Sequence, residues 1–313
     1  MSTGSSAGDD VSRETGSGAD ARCATRHSSG QFMSADGVRL HLQAWLPAGD
    51  APGAPAPDVR AVVAVVHGYG DHGGRYTWLG EDLAARGHAL YAYDLRGHGH
   101  SSGERGQVGR FDEYLDDTEA FLDEVRKAQP GKTLFLLGHS MGGLICARLA
   151  EERPPAVRGL ILSSPFLQLA EAVPPSRLYA LKVLARVWRD RDIGNTVRAE
   201  HLSHDEAVVS AYTTDRLVHH VAPARWASQM LAAQDATMAD ASKILLPLLT
   251  LYGTEDQVVD TAFVEALYAD AESEDKTIHR YEGYYHECFN ETGRERVFDD
   301  LAAWLAARLP GAG

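Results

Sequence analysis

Residues 61–66, AVVAVV, form an unbroken run of six apolar, mostly β-branched side chains. A run this short cannot cross a bilayer, and a strand with one wet face would alternate polar and apolar residues, so this is a strand buried on both faces of a parallel sheet. It opens a series. Helical spacing over 76–86 is followed by a strand at 88–93, a helix over 111–129, a strand at 133–137, a helix over 142–153 and a strand at 157–163, with an earlier strand at 38–45 leading in. Repeated βα units predict the α/β class, a mostly parallel central sheet with helices on both faces. The rhythm stops between 166 and 240, where helical patterns, loops and paired prolines occur without a convincing strand. It resumes with a strand at 247–252, a helix at 261–269, a strand at 276–281 and a helix around 296–309. The expected organisation is a core in two parts, 31–165 and 241–313, with a helical cap inserted over 166–240. Residues 1–30 carry one Val as their only large aliphatic side chain, too little to offset the cost of ordering, and are expected to be a disordered tail. The proline-rich stretch 48–57 reads as an exposed connection.

Charge narrows the function classes. Thirty Lys and Arg against 44 Asp and Glu give a net charge of −14, which repels phosphate backbones and anionic headgroups. Nucleic acid is excluded as a partner, and membrane contact, where it occurs, is expected to be transient, hydrophobic and made through the cap. The three cysteines, Cys23, Cys146 and Cys288, are widely spaced with no C-x-x-C pair, which fits a reducing compartment. No segment reaches the roughly 18 apolar residues of a membrane span, and the first residues lack a signal-peptide core. A cytoplasmic location, peripheral at membranes, is expected.

Gly138-His139-Ser140-Met141-Gly142 matches G-x-S-x-G and sits between the strand TLFLL and the helix GGLICARLA. That context is what a nucleophile elbow requires: a strand, a sharp turn that exposes the serine hydroxyl, and a helix, with glycines where a side chain would clash. A serine needs a histidine to take its proton and a carboxylate to hold that histidine, in the order Ser, acid, His. Asp256, in the loop after the strand PLLTLY, is the best acid; Glu255 and Asp260 from the same loop are rivals. His286, in the loop after KTIHRY, is the base, whereas His279 lies within the strand and is expected to be packed or solvent-facing. The loop His67-Gly68-Tyr69-Gly70 can aim a backbone N–H at a developing oxyanion, so the expected donors are the N–H groups of Tyr69 and Met141.

These segments, HGYGDHGGRY, YDLRGHGHSSG, GHSMGG, LSSP, YGTEDQVVD and YYHECFNE in this order, resemble the monoacylglycerol lipase and lysophospholipase group of α/β-hydrolases over residues 31–309. The resemblance implies the α/β-hydrolase fold, Ser140, Asp256 and His286 as the triad, and Tyr69 and Met141 as oxyanion donors. It further implies a substrate-binding role near the alcohol headgroup for Asp71, where the family commonly has glutamate, and for Arg75. The expected activity is cofactor-free serine hydrolysis of monoacylglycerols or similar single-chain lipid esters. A lysophospholipase or a broad carboxylesterase or thioesterase on the same triad is the alternative. Ser140 at the elbow argues against dehalogenase or epoxide hydrolase chemistry, and an intact triad argues against a silent receptor.

His98 and His100 stand at no recognised metal-ligand spacing, so no metal site is expected. Over 176–189, helical angles put Lys182, Arg186 and Arg189 on one stripe with apolar residues around most of the rest. Such a helix has more apolar face than one packing contact needs; burial between cap and body and a surface that admits lipid or touches a bilayer are both open, and replacing Leu181 or Trp188 with Asp tells them apart.

Overall fold

The computed structural model describes residues 24–49, 58–171, 173–194 and 197–311. Eight strands form one sheet in the order β1-β2-β4-β3-β5-β6-β7-β8: β1 (Ala24–Met33), β2 (Arg39–Ala48), β3 (Val62–Val66), β4 (Ala89–Tyr93), β5 (Leu134–His139), β6 (Gly159–Ser163), β7 (Leu248–Gly253) and β8 (Lys276–Tyr281). The β1–β2 and β2–β4 pairs are antiparallel and every other pair is parallel.

The apolar run after residue 60 is fully buried, and its alternation divides the core. Val62, Ala64 and Val66 face one hydrophobic cluster with α2 (Asp112–Ala128) and α3 (Met141–Glu152). Val63 and Val65 face a second with α1 (Thr77–Ala85) and α8 (Glu295–Ala306). Helices therefore cover both faces, which is why β3 to β7 could be read as unbroken apolar runs.

Between β6 and β7 lie α4 (Pro175–Val187), α5 (Glu206–Thr214) and α6 (Ala224–Asp240), with no strand among the described residues beyond isolated bridges. The segment is tied to the body by Phe166 N–H donating to Ser140 O at 2.9 Å and His219 N–H donating to Gly70 O at 3.0 Å. The last helical pair of the body is α7 (Thr261–Asp270) and α8.

One expectation is corrected. Residues 24–30 are not part of an unstructured tail: they pair from Ala24 with Ala48 to Gly30 with Leu42, so the sheet begins fourteen residues before the first strand expected at 38–45. The strand is an exposed edge in which Phe32 alone is buried, and backbone hydrogen bonds hold it without apolar alternation. Residues 1–23, with Cys23, lie outside the described residues, as does most of the proline-rich connection.

Candidate active site

Six parallel strands, β3 to β8, end on one rim, where crevices in open α/β sheets form. β5 delivers Ser140 there at φ 52° and ψ −118°, a conformation L-residues rarely adopt. Its surroundings fix it: Ser140 N–H donates to Ser163 O at 2.9 Å, and its carbonyl accepts from Phe166 and Leu144 at 2.9 and 3.1 Å. The glycines are sterically required. A Cβ on Gly138 would strike the Gly142 carbonyl and lie 2.8 Å from Cys146 Sγ, and one on Gly142 would strike the Val66 carbonyl.

Asp256 and His286 come together from the loops after β7 and β8. Asp256 Oδ2 lies 2.7 Å from His286 Nδ1, while Oδ1 accepts the N–H groups of Val258 and Val259 at 2.8 and 3.0 Å. The Asp256 side chain is wholly buried. Its rivals are placed elsewhere: Glu255 is exposed, and Asp260 caps α7 through Ala262 N–H at 3.0 Å. Burial works against the His286 imidazolium, but the charge and hydrogen bond of Asp256, with the charge of Glu287, outweigh it and hold the pKa above the ordinary value. Ser164 Oγ donates to His286 O at 2.9 Å and pins this loop to β6. His279 is half-buried in β8, as its position within the strand implied.

Tyr69 N–H has no acceptor among the described residues. Met141 N–H belongs to the first turn of α3, whose N–H groups have no intrahelical partner and carry the positive end of the helix dipole. Behind this loop, His67 Nδ1 donates to Gly68 O at 2.7 Å and Nε2 accepts from Leu95 N–H at 2.9 Å, which fixes the ring and its tautomer. The Tyr69 side chain is not idle: it stacks on Trp226 at 3.6 Å and donates to Val221 O at 2.7 Å, joining the loop to α6. His98 is buried against Tyr69 and His219 and accounts for the histidine-rich loop as packing.

Asp71 and Arg75 meet a residue that the sequence reading did not single out. Arg75 Nη2 is hydrogen-bonded to Glu287, and its Nε lies 2.9 Å from Asp71 Oδ1 with the N–H directed away from that oxygen, an ion pair without a hydrogen bond there. Tyr212 of α5 covers the guanidinium at 5.0 Å. Burial, with the neighbouring Glu287 charge, raises Asp71 to about 6 against the opposing pull of Arg75. Glu287 directly follows His286, a clue in HECFNE, but its partner is 212 positions away.

Ser140, Met141, His286, Tyr69, Asp71 and Glu287 line a single cavity of about 600 Å³. Leu178, Leu181 and Leu184 of α4, Trp226 and Met230 of α6, and Val258 make most of the remaining wall apolar. Leu181 thus lines the cavity, whereas Trp188 is 70% exposed.

An elbow serine with a carboxylate-held histidine, on an α/β sheet with a helical insertion, defines a serine hydrolase of the α/β-hydrolase fold. The chain belongs to the family described as serine aminopeptidase, S33, whose pattern matches residues 57–293. It is 31% identical over 283 residues to a monoacylglycerol lipase of Mycolicibacterium smegmatis, covering 90% of this chain and 98% of that one. It is 33% identical over 286 residues to monoglyceride lipase of Homo sapiens, covering 90% and 91%. A solved structure, the Paleococcus ferrophilus monoacylglycerol lipase, superposes with a TM-score of 0.73 at 29% identity over 90% of this chain and 98% of that one. The protein is a carboxylic ester hydrolase.

Proposed function

We propose that the enzyme cleaves monoacylglycerols and similar single-chain lipid esters through an acyl-enzyme on Ser140. The observation that carries this reading is the 600 Å³ cavity, which joins an apolar wall suited to one acyl chain to a compact buried cluster of Asp71, Arg75 and Glu287 suited to hydroxyl groups. Ser140 Oγ would attack the ester carbonyl as His286 Nε2 takes its proton, Asp256 holding the ring in the tautomer that leaves Nε2 free to accept. The oxyanion would form between the Tyr69 and Met141 N–H groups. Collapse breaks the ester C–O bond, His286 returns the proton to the departing glycerol oxygen, and water then hydrolyses the acyl-serine by the same route. Two buried carboxylates against one arginine make the alcohol cluster net negative. That favours a neutral glycerol over a phosphodiester leaving group and ranks monoacylglycerol above lysophospholipid. In this reading 166–240 acts as the cap, and the names of the relatives support the substrate class.

Hydrolysis rates of purified protein on monoacyl-, diacyl- and triacylglycerol, lysophospholipid and a short soluble ester test it. Monoacylglycerol should be cleaved best and long-chain triacylglycerol hardly at all; comparable rates on the two would overturn the single-chain cavity. Arg75→Ala should weaken glycerol ester hydrolysis more than that of an alkyl ester with the same acyl chain.

A further inference from the structure

Glu291 is 1% exposed, and no Lys or Arg stands within ion-pair distance of it among the described residues. A carboxylate buried without such a cation persists only where hydrogen bonds replace its water. Oε1 accepts the N–H groups of Thr292 at 2.7 Å and His204 at 2.8 Å and lies 3.2 Å from Ser203 Oγ. Oε2 accepts Tyr285 N–H at 3.1 Å and lies 3.1 Å from His204 Nδ1. Thr292 and Tyr285 belong to the loop that carries His286, whereas Ser203 and His204 belong to the cap just before α5, 88 and 87 positions away. One buried carboxylate therefore joins two distant parts of the chain.

The backbone around His286 is held by the same parts. Tyr285 N–H donates to Glu291, His286 O accepts from Ser164 Oγ at 2.9 Å, and Glu287 N–H donates to Leu202 O at 2.8 Å. Of these three bonds two depend on the cap, that of Glu287 directly and that of Tyr285 through Glu291. The His204 ring stacks on Tyr285 at 3.7 Å, and Ser203 Oγ lies 2.9 Å from Asn290 O, which closes the clamp. A base on a loop has no regular element to hold it, and it must keep its place to within about 0.5 Å. We infer that Glu291 is a positioning residue, which couples the cap segment 202–205 to the loop 285–287 and so sets the reach of His286 Nε2 to Ser140 Oγ. The cap then does more than wall the cavity: seating 202–205 completes the support of the base. The inference rests on His286 as that base.

Glu291→Gln keeps the shape and an oxygen for the donors at Oε1, while its amide N–H groups face Tyr285 N–H, so the bond beside His286 is the one lost. On a short soluble ester, with full-length protein and sites counted by an organophosphorus probe, kcat should fall by about tenfold or more with KM within about twofold of wild type. The acid limb of kcat/KM should move down, because a looser His286–Asp256 bond leaves burial less opposed. Ser203→Ala keeps the Glu291 charge and removes a cap contact, so a smaller loss with the limb moved the same way assigns the effect to position rather than charge. The double variant should lose little beyond Glu291→Gln alone, since both changes act through one carboxylate. An unchanged kcat and limb in Glu291→Gln, or a loss confined to KM or to melting temperature, would overturn the inference and leave Glu291 as packing. Where Glu291→Gln does not fold, an unmoved limb in Ser203→Ala overturns it equally. A His286→Ala control with wild-type turnover would instead fail the assignment of the base itself.

Discussion

At Ser140 the chain holds a left-handed backbone costing on the order of 1–3 kcal/mol, and the bonds to Ser163 and Phe166 that enforce it do not involve the hydroxyl. Ser140→Ala should therefore fold normally and lose activity by roughly 10⁴-fold or more, with His286→Ala losing about as much because the group acts as a unit. Labelling of Ser140 by an organophosphorus probe and single-turnover assays check this. The pH profile has a definite sign: His286 must be neutral to accept a proton, and its pKa is raised, so kcat/KM should rise with pH through a value above the ordinary imidazole range. Asp256→Asn leaves burial unopposed, so whatever residual activity survives should show its acid limb moved down. Glu287→Gln should move the limb down less and, by releasing Arg75, cost about tenfold on glycerol esters, the scale of one charge-assisted hydrogen bond. An unmoved limb in both variants would separate His286 from these carboxylates. The elbow and its Ser, Asp, His order could be read because each residue lies in the loop or turn that follows a legible strand, apolar before Ser140 and Asp256 and mostly polar before His286. Glu287 could not, because its meaning depends on an arginine brought from the other half of the chain.

Composition alone marks the strands buried on both faces, β3 to β7, whereas β2 and the half-buried β8 were legible from their length and their place in the series. β1 escaped because ATRHSSGQ is polar and its pairing with β2 is a backbone matter. That has a thermal consequence. His27 packs on Trp45 with ring centroids 4.9 Å apart, and seven residues of β1 precede Gln31, so a chain starting at Gln31 should melt about 2–4 °C below one starting at Ala24, equivalent to roughly 1 kcal/mol. Equal melting temperatures would make β1 an idle extension. α4 was legible as an amphipathic helix but not for which side faced what, since its inner, basic and outer faces differ only in what the body and α6 cover. Leu181→Asp should accordingly impair long-chain esters whether micellar or soluble, because that side chain lines the cavity, whereas Trp188→Asp should impair only aggregated substrate.

Taken as one titrating body, the molecule buries an unusual number of neutral imidazoles. Burial depresses His67, His88 and His219 to about 4 and His139 to about 3, and drives His98 well below its ordinary value. Once unfolded, each takes up a proton near pH 6.5, which the folded chain refuses until the pH is well below that, so each costs stability as pH falls through that window. Four groups act the other way, one of them Asp117, which burial raises against the pull of Arg96. Asp71, raised to about 6, and Glu151, raised to about 8, bind protons in the folded chain that the unfolded chain does not hold there, and both rises are led by burial. His286, with its raised pKa, contributes stability that is already complete below 6.5 and is lost only on going alkaline. Between about pH 6 and 4.5 the depressed histidines outnumber the raised carboxylates, so unfolding takes up protons and stability falls with falling pH, by ~1.4 kcal/mol per pH unit for each net proton. The melting temperature should then fall from pH 6 to pH 5, by about 2–4 °C for each kcal/mol lost. His219, buried against Tyr69 and His98, offers the diagnostic substitution: His219→Phe keeps the packing on Tyr69 and removes one proton from the count, so its melting curve against pH should be shallower than that of the wild type. A slope that is flat in the wild type, or equal in the two proteins, would mean that the folded chain admits the protons through local opening near the cap.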